Sequence, residues 1–197
     1  MKIKRLGLLG VPVLALAAVL PLSAAGGGAQ HVSWDIIHLT FTPLTFDPGG
    51  SASAKAPDGD MITLRGSGTF VAPNGSNGGS GAVTGGGTWQ TFSAAGASTG
   101  SGTYEVKELV SWVFANVQGA VVIDNTGDTN ERANGTAVLR IQFSDGQSGV
   151  LTVGCHGPAA PPGIFEGIAT TKGFKTYYDV QAPGADPDAN RTAFHVH

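Results

Sequence analysis

Histidine, carboxylate and aromatic side chains are the groups in this chain that could do chemistry, and few of them stand at a spacing that chemistry requires. His195 and His197 share one strand face, about 7 Å apart at the rise of an extended chain. Such a pair can hold a transition metal if His31, His38 or His156 supplies a third nitrogen. No carboxylate or cysteine sits at ligand spacing beside them in sequence. The pair therefore reads as an exposed polar face at a fraying strand end, and no metal or other cofactor is expected. Asp124, Asp128 and Glu131 are acidic enough for calcium. They lack the glycine and closing glutamate of a calcium loop, so the stretch reads as a solvated loop. Glu108 falls among Tyr104, Val106, Val110, Trp112 and Phe114 on one strand face. A carboxylate there must be paired, protonated or turned outward by a bulge at Lys107–Glu108. As an interior acid Glu108 is the catalytic candidate; the bulge, which is the preferred reading, returns it to solvent. A serine–histidine–acid set has no Gly-x-Ser-x-Gly elbow behind it. Asn74, Asn134 and Asn190 begin glycosylation triplets.

The element that must position these groups is a strand written three times: Gly66-Ser-Gly68-Thr69-Phe70, Gly85-Gly-Gly87-Thr88-Trp89 and Gly100-Ser-Gly102-Thr103-Tyr104. Strand side chains alternate, so each pair of glycines shares a face with its aromatic residue. Glycine there lets a strand bend and lets a backbone or a large ring approach. The repeats predict a curved antiparallel sheet that closes into a barrel of about eight strands. Phe70, Trp89, Tyr104 and Trp112 line its concave side and are the candidate ligand-binding residues. Such an interior either fills with side chains or leaves room for one small ligand.

Around the repeats, Val32, Trp34 and Ile36 occupy one face and Ile37, Leu39 and Phe41 the other, which marks a bulge or burial on both sides. Residues 47–58 read as a polar loop, 73–84 as a Gly-Ser loop, 119–124 as a short strand and 125–135 as an acidic loop. Asp145-Gly146 turns a hairpin. A glycine bulge at Gly146 sets Leu139 against Leu151 and Ala137 against Val153, which keeps the apolar faces together. In that register Cys155 faces the core and His156 faces out. Residues 164–180 form one long strand or two short ones turning at Lys172-Gly173. Their core candidates are Phe165, Ile168, Phe174, Tyr177, Tyr178 and Val180. Thr192–His197 is a closing strand, and eight or nine strands are expected in all.

Residues 1–29 have the layout of a signal peptide: Lys2, Lys4 and Arg5, an apolar run over residues 6–22, then small residues. Residues 30–197 remain as a single domain, long enough to hold a core without staples. Eleven basic residues, three of them in the leader, against fourteen acidic ones leave the mature chain at a net charge of about −6. That disfavours nucleic acid and anionic membrane as partners. Cys155 is the one cysteine, so no internal disulfide can form.

The run of Gly-x-Gly-Thr-aromatic strands, followed by Phe165-Glu166-Gly167 and Lys172-Gly173-Phe174, resembles small secreted bacterial barrels related in shape to allene oxide cyclase and dirigent proteins. The resemblance covers about residues 60–178 and implies an eight-stranded antiparallel barrel with a central cavity, in which a cavity acid can serve a cyclisation. Glu108 is the position it carries over. Gly87-Thr88-Trp89 with Thr99–Glu105 also looks like the opening hairpin of avidin-type barrels, without that family's later tryptophan strands. The leading expectation is a secreted (periplasmic or extracellular) protein that binds a small apolar ligand or has a structural role without catalysis. The alternatives are a cyclase or isomerase using Glu108 and a small outer-membrane barrel.

Overall fold

Alternating apolar residues and glycine-rich strands dominate the chain, and in the computed structural model they pair into one sheet. The structure describes residues 29–73, 79–181 and 190–197. The signal segment and the Asn74 triplet fall largely outside them. The strands are β1 (Gln30–Phe41), β2 (Leu44–Pro48), β3 (Ala52–Lys55), β4 (Met61–Ala72), β5 (Val83–Phe92), β6 (Ser98–Val117), β7 (Ile123–Asp124), β8 (Glu131–Phe143), β9 (Ser148–Cys155), β10 (Gly167–Lys172), β11 (Lys175–Tyr177), β12 (Asp179–Gln181) and β13 (Arg191–Val196). There is no helix among the described residues.

The all-β expectation holds, but the architecture is less regular than an eight-stranded barrel. All thirteen strands belong to one sheet. Hydrogen-bonded pairs run β4–β1–β13–β8–β6–β5 and back to β4, so a ring of strands closes. Long strands change partners along their length, which multiplies the strand count. β8 pairs with β13 over residues 131–133 and with β9 over 135–142. β1 pairs with β4 and β13 up to Ile37 and with β2 beyond it. β7 lies parallel to β2, an exception to the antiparallel rule.

The glycine repeats meet each other. Gly66 faces Gly87, Gly87 faces Tyr104, and Trp89 faces Gly102 across β4, β5 and β6. Rings occupy some of the gaps and backbone the others: a Cβ on Gly102 would lie 2.9 Å from Trp89 Nε1, one on Gly87 only 1.8 Å from Arg65 O, and, outside the repeats, one on Gly135 2.7 Å from Trp112 Cη2. Phe70 and Phe194 pack edge-on against Trp112 at 5.4 and 4.7 Å, and Trp89 and Tyr104 lie 5.8 and 6.3 Å from Phe143. Edge-to-face pairs of this kind each contribute about 1 kcal/mol beyond the area they bury. The interior is therefore filled by its own side chains.

Several local expectations meet the structure directly. Val32, Trp34 and Ile36 enter the main core while Ile37 and Leu39 join a second cluster with Phe46 and Ala193, so β1 is buried on both sides. The hairpin has the bulged register, with Leu139 opposite Leu151 and Ala137 opposite Val153. Cys155 is buried and His156 exposed. Others need correction. Residues 52–55, read as loop, are β3. Of residues 119–124 only Ile123–Asp124 is a strand, and β8 starts at Glu131, inside the expected acidic loop. Phe174 sits fully exposed on the β10–β11 turn and Tyr178 is exposed as well. Register shifts in β6 after Val106 and Leu109 turn Val110 and Phe114 outward.

Candidate functional site

Among the described residues the core is packed with its own side chains, and an apolar hollow lies in the outer layer. Phe70, Trp89, Tyr104 and Trp112 are buried in the core rather than arrayed around an open interior. Glu108 follows a register shift in β6 and pairs on the outer surface with Arg140, 2.9 Å between Oε2 and Nε. The bulge wins because Arg140 stands directly across the ladder, and an exposed ion pair avoids burying a carboxylate. Glu108 therefore lacks the enclosed setting that an interior acid needs.

The expected exposed histidine face is overturned at His195. Phe194 and Val196 fill the core, so alternation sends His195 to the opposite side of β13. There it is fully buried and meets Asp124 of the segment between β6 and β8. Its Nε2 lies 2.9 Å from Asp124 Oδ2, and Nδ1 has no hydrogen-bond partner. Ser33 of β1 and Arg132 of β8 flank it in register. Ser33 Oγ donates to Asp128 Oδ2 at 2.6 Å. Burial raises the Asp124 carboxyl, but bonds from Thr126 and His195 outweigh it and hold the group below its ordinary range. Asp128 is lowered in the same way by Ser33 and Asn130. Asp35, on the same face of β1, is pushed up to about 6 by burial, with Asp124 and Asp128 adding to the rise and His195 opposing it. His197 follows β13, its ring edge-on to His31, 6.0 Å away. No metal-binding group of three or more His, Cys, Asp or Glu side chains occurs among the described residues.

The arrangement suited to a ligand is a cavity of about 310 Å³ beside this cluster. Its floor is the second face of β1 with β2: Ile37, Leu39, Leu44 and Phe46. One wall is Gln118, Ala120 and Val122 from the segment after β6. The other is Cys155–Pro158, Glu166 and Arg191–Thr192. A mainly apolar hollow with a few convergent polar groups is the usual form of a small-molecule site. Glu166 precedes β10 and fastens three elements, its carboxylate accepting the N–H of His156 at 2.5 Å and of Thr192 at 2.8 Å. Burial pushes it up to about 7, against the downward pull of those bonds and of Arg191 and His156. Cys155 donates to Thr192 O at 3.2 Å, and burial, with Glu166 nearby, drives its thiol well above the ordinary range. It is a neutral packing group, not a nucleophile.

Gln118 is held by its amide nitrogen, which donates to Ala133 O at 3.2 Å and Asn134 Oδ1 at 3.1 Å. Asn134 is fully buried; its Nδ2 donates to Asn116 Oδ1 and Pro158 O, and its Oδ1 also accepts from Gly157 N. Asn190 is buried too and accepts from Ser53 N at 2.5 Å. Neither asparagine can receive a glycan in the folded chain.

Sequence reasoning singled out none of Gln118, Glu166 and Arg191 as functional. An acid flanked by Phe165 and Ile168 was a local signal for Glu166; Gln118 and Arg191 carried none, because their neighbours arrive from distant strands. No protein-family model matches the chain, and no curated protein or solved structure matches it.

Proposed function

We propose that this is a secreted, non-catalytic binder of a small, mostly apolar molecule, held in the cavity over β1, β2 and β13 rather than inside the ring of strands. The observation that carries this reading is the cavity itself: about 310 Å³, the volume of about ten water molecules at ~30 Å³ each, with an aliphatic and aromatic floor. The closed strand ring supports an irregular barrel of the allene oxide cyclase and dirigent type whose centre is occupied by its own rings. The acidic balance of the chain favours a small molecule over nucleic acid as partner. Native mass spectrometry after mild purification, followed by fluorescence titration with 1-naphthol, tests the reading. Ala120→Trp, which fills the cavity from its wall, is expected to abolish retained mass and naphthol uptake without unfolding the protein. Equal binding by wild type and Ala120→Trp rejects this site.

A proton-transfer reading is favoured by one observation, the Glu166 carboxyl raised to about 7 beside an apolar cavity. It replaces Glu108 as the acid of a cyclase or isomerase. Solvent deuterium entering an apolar ketone in the presence of the protein, and lost in Glu166→Gln, is its expected signature; equal exchange in both proteins removes it.

A further inference from the structure

The segment that walls the cavity also meets His195, and it is attached on three sides: at its start it is tied to β8, where Gln118 N donates to Arg132 O at 2.8 Å and Arg132 Nη2 donates to Ala120 O. Along β2 it is joined by backbone: Ile123 and Asp124 run parallel to Thr45 and Phe46, and Asn125 N donates to Phe46 O at 2.9 Å. Across β13 it is joined by side chains alone, Asp124 to His195 at 2.9 Å and, one strand further, Asp128 to Ser33 at 2.6 Å. Gly119 and Gly127 lie within it, and a Cβ on either would meet nothing within 4 Å, so neither position is held by close packing. Val121, between them, is 96% exposed. Only the two-residue β7 within it belongs to the sheet.

We propose that residues 118–130 are a strap, hinged on β2 and latched to β13 through His195 and Asp124, whose release opens the cavity, and that ionisation of Asp35 beneath it loosens the latch. The proposal rests on the cavity being the ligand site and adds how access to it is controlled. The charged and titratable groups around the latch come from four elements: Asp35 on β1, which lines a hollow with Thr126, Asp128 and Asn130 of the strap, His195 on β13, Arg132 on β8, and Asp124 and Asp128 on the strap. Asp124 lies 2.9 Å from His195 and 3.9 Å from Arg132, and Asp128 accepts from Ser33 at 2.6 Å. When Asp35 ionises, a third carboxylate stands beside these two in the half-buried hollow, and it does so near pH 6, where its carboxyl titrates. Like charges brought together away from water repel strongly. Ligand entry and exit are therefore slow below pH 6 and faster above it.

The test is hydrogen exchange of the strap, corrected for intrinsic rates, with stopped-flow binding of 1-naphthol, both at pH 5 and pH 8. Wild type is expected to exchange amides 119–130 at least fivefold faster at pH 8, with naphthol association accelerated in parallel. Asp35→Asn, close in shape and unable to ionise, is expected to remove both pH effects. Asp124→Asn is expected to make exchange and association fast at either pH. An unchanged pH response in Asp35→Asn overturns the role of Asp35. Faster strap exchange in Asp124→Asn with unaltered naphthol rates overturns the gate while leaving the cavity as the binding site. If naphthol fails to bind at all, the cavity reading falls, and a strap whose exchange ignores pH and Asp124→Asn then rejects the latch separately. Should Asp124→Asn fail to fold, Asp35→Asn and the wild-type pH series decide alone.

Discussion

At the scale of single residues, the fold is a fit of rings into places where a side chain is missing. Gly68 shows how little slack there is: a Cβ there would lie 2.3 Å from Thr84 O and 2.9 Å from Trp34 Nε1. The first neighbour is backbone and cannot swing away, so Gly68→Ala is expected to cost about 2–3 kcal/mol, read from urea unfolding. Glu166 makes a second prediction. Its carboxyl titrates at about 7 in the folded chain against an ordinary 4.5, so the folded form binds the proton more tightly. Its contribution to stability is fully present below 4.5 and is lost as pH rises through 7, by up to about 3 kcal/mol. Asp35, moved from 3.8 to about 6, acts in the same direction over a lower window. The melting temperature is expected to fall between pH 5 and pH 8, and Glu166→Gln to flatten much of that slope. A wild-type melting temperature that climbs over this interval contradicts the assignment.

At the scale of elements, what was legible is what depends on neighbours in sequence. The β8–β9 hairpin follows from alternation on both arms plus Asp145-Gly146, and Gly146 adopts a φ of +89°. A Cβ at Gly146 would touch nothing within 4 Å, so Gly146→Ala is expected to cost only the backbone strain, about 1 kcal/mol. A cost near that of Gly68→Ala would show that the turn is packed rather than merely bent. Ala52–Lys55 was illegible because Ala-Ser-Ala-Lys carries no apolar alternation; it becomes a strand by lying beside Met61–Leu64. His195 was misread for a related reason. Its own neighbours look like a strand end, while the group it meets, Asp124 of the strap, lies some seventy positions earlier. The cavity suffers most from this, since it draws on β1, β2, β13 and the connections after β6 and β9. The resemblance to cyclase-type barrels pointed to a ring of strands but also to an open centre, and Trp89, Tyr104 and Phe143 close that centre.

At the scale of the whole molecule, the ring is completed by pairing one end of the described chain with the other. β13 lies between β1 and β8, with Trp34 opposite Phe194 and Phe194 opposite Ala133. Removing residues 191–197 would leave β1 and β8 with unpaired edges and take Phe194 out of the core. The truncated chain is expected to lose cooperative unfolding by circular dichroism; a sharp transition would mean the ring is dispensable. Pairings this distant also predict folding in milliseconds to seconds rather than microseconds.

The seam has a further bearing on biogenesis. Until residues 191–196 have emerged from the ribosome, β1 lacks its β13 neighbour and the ring of strands between β1 and β8 stays open.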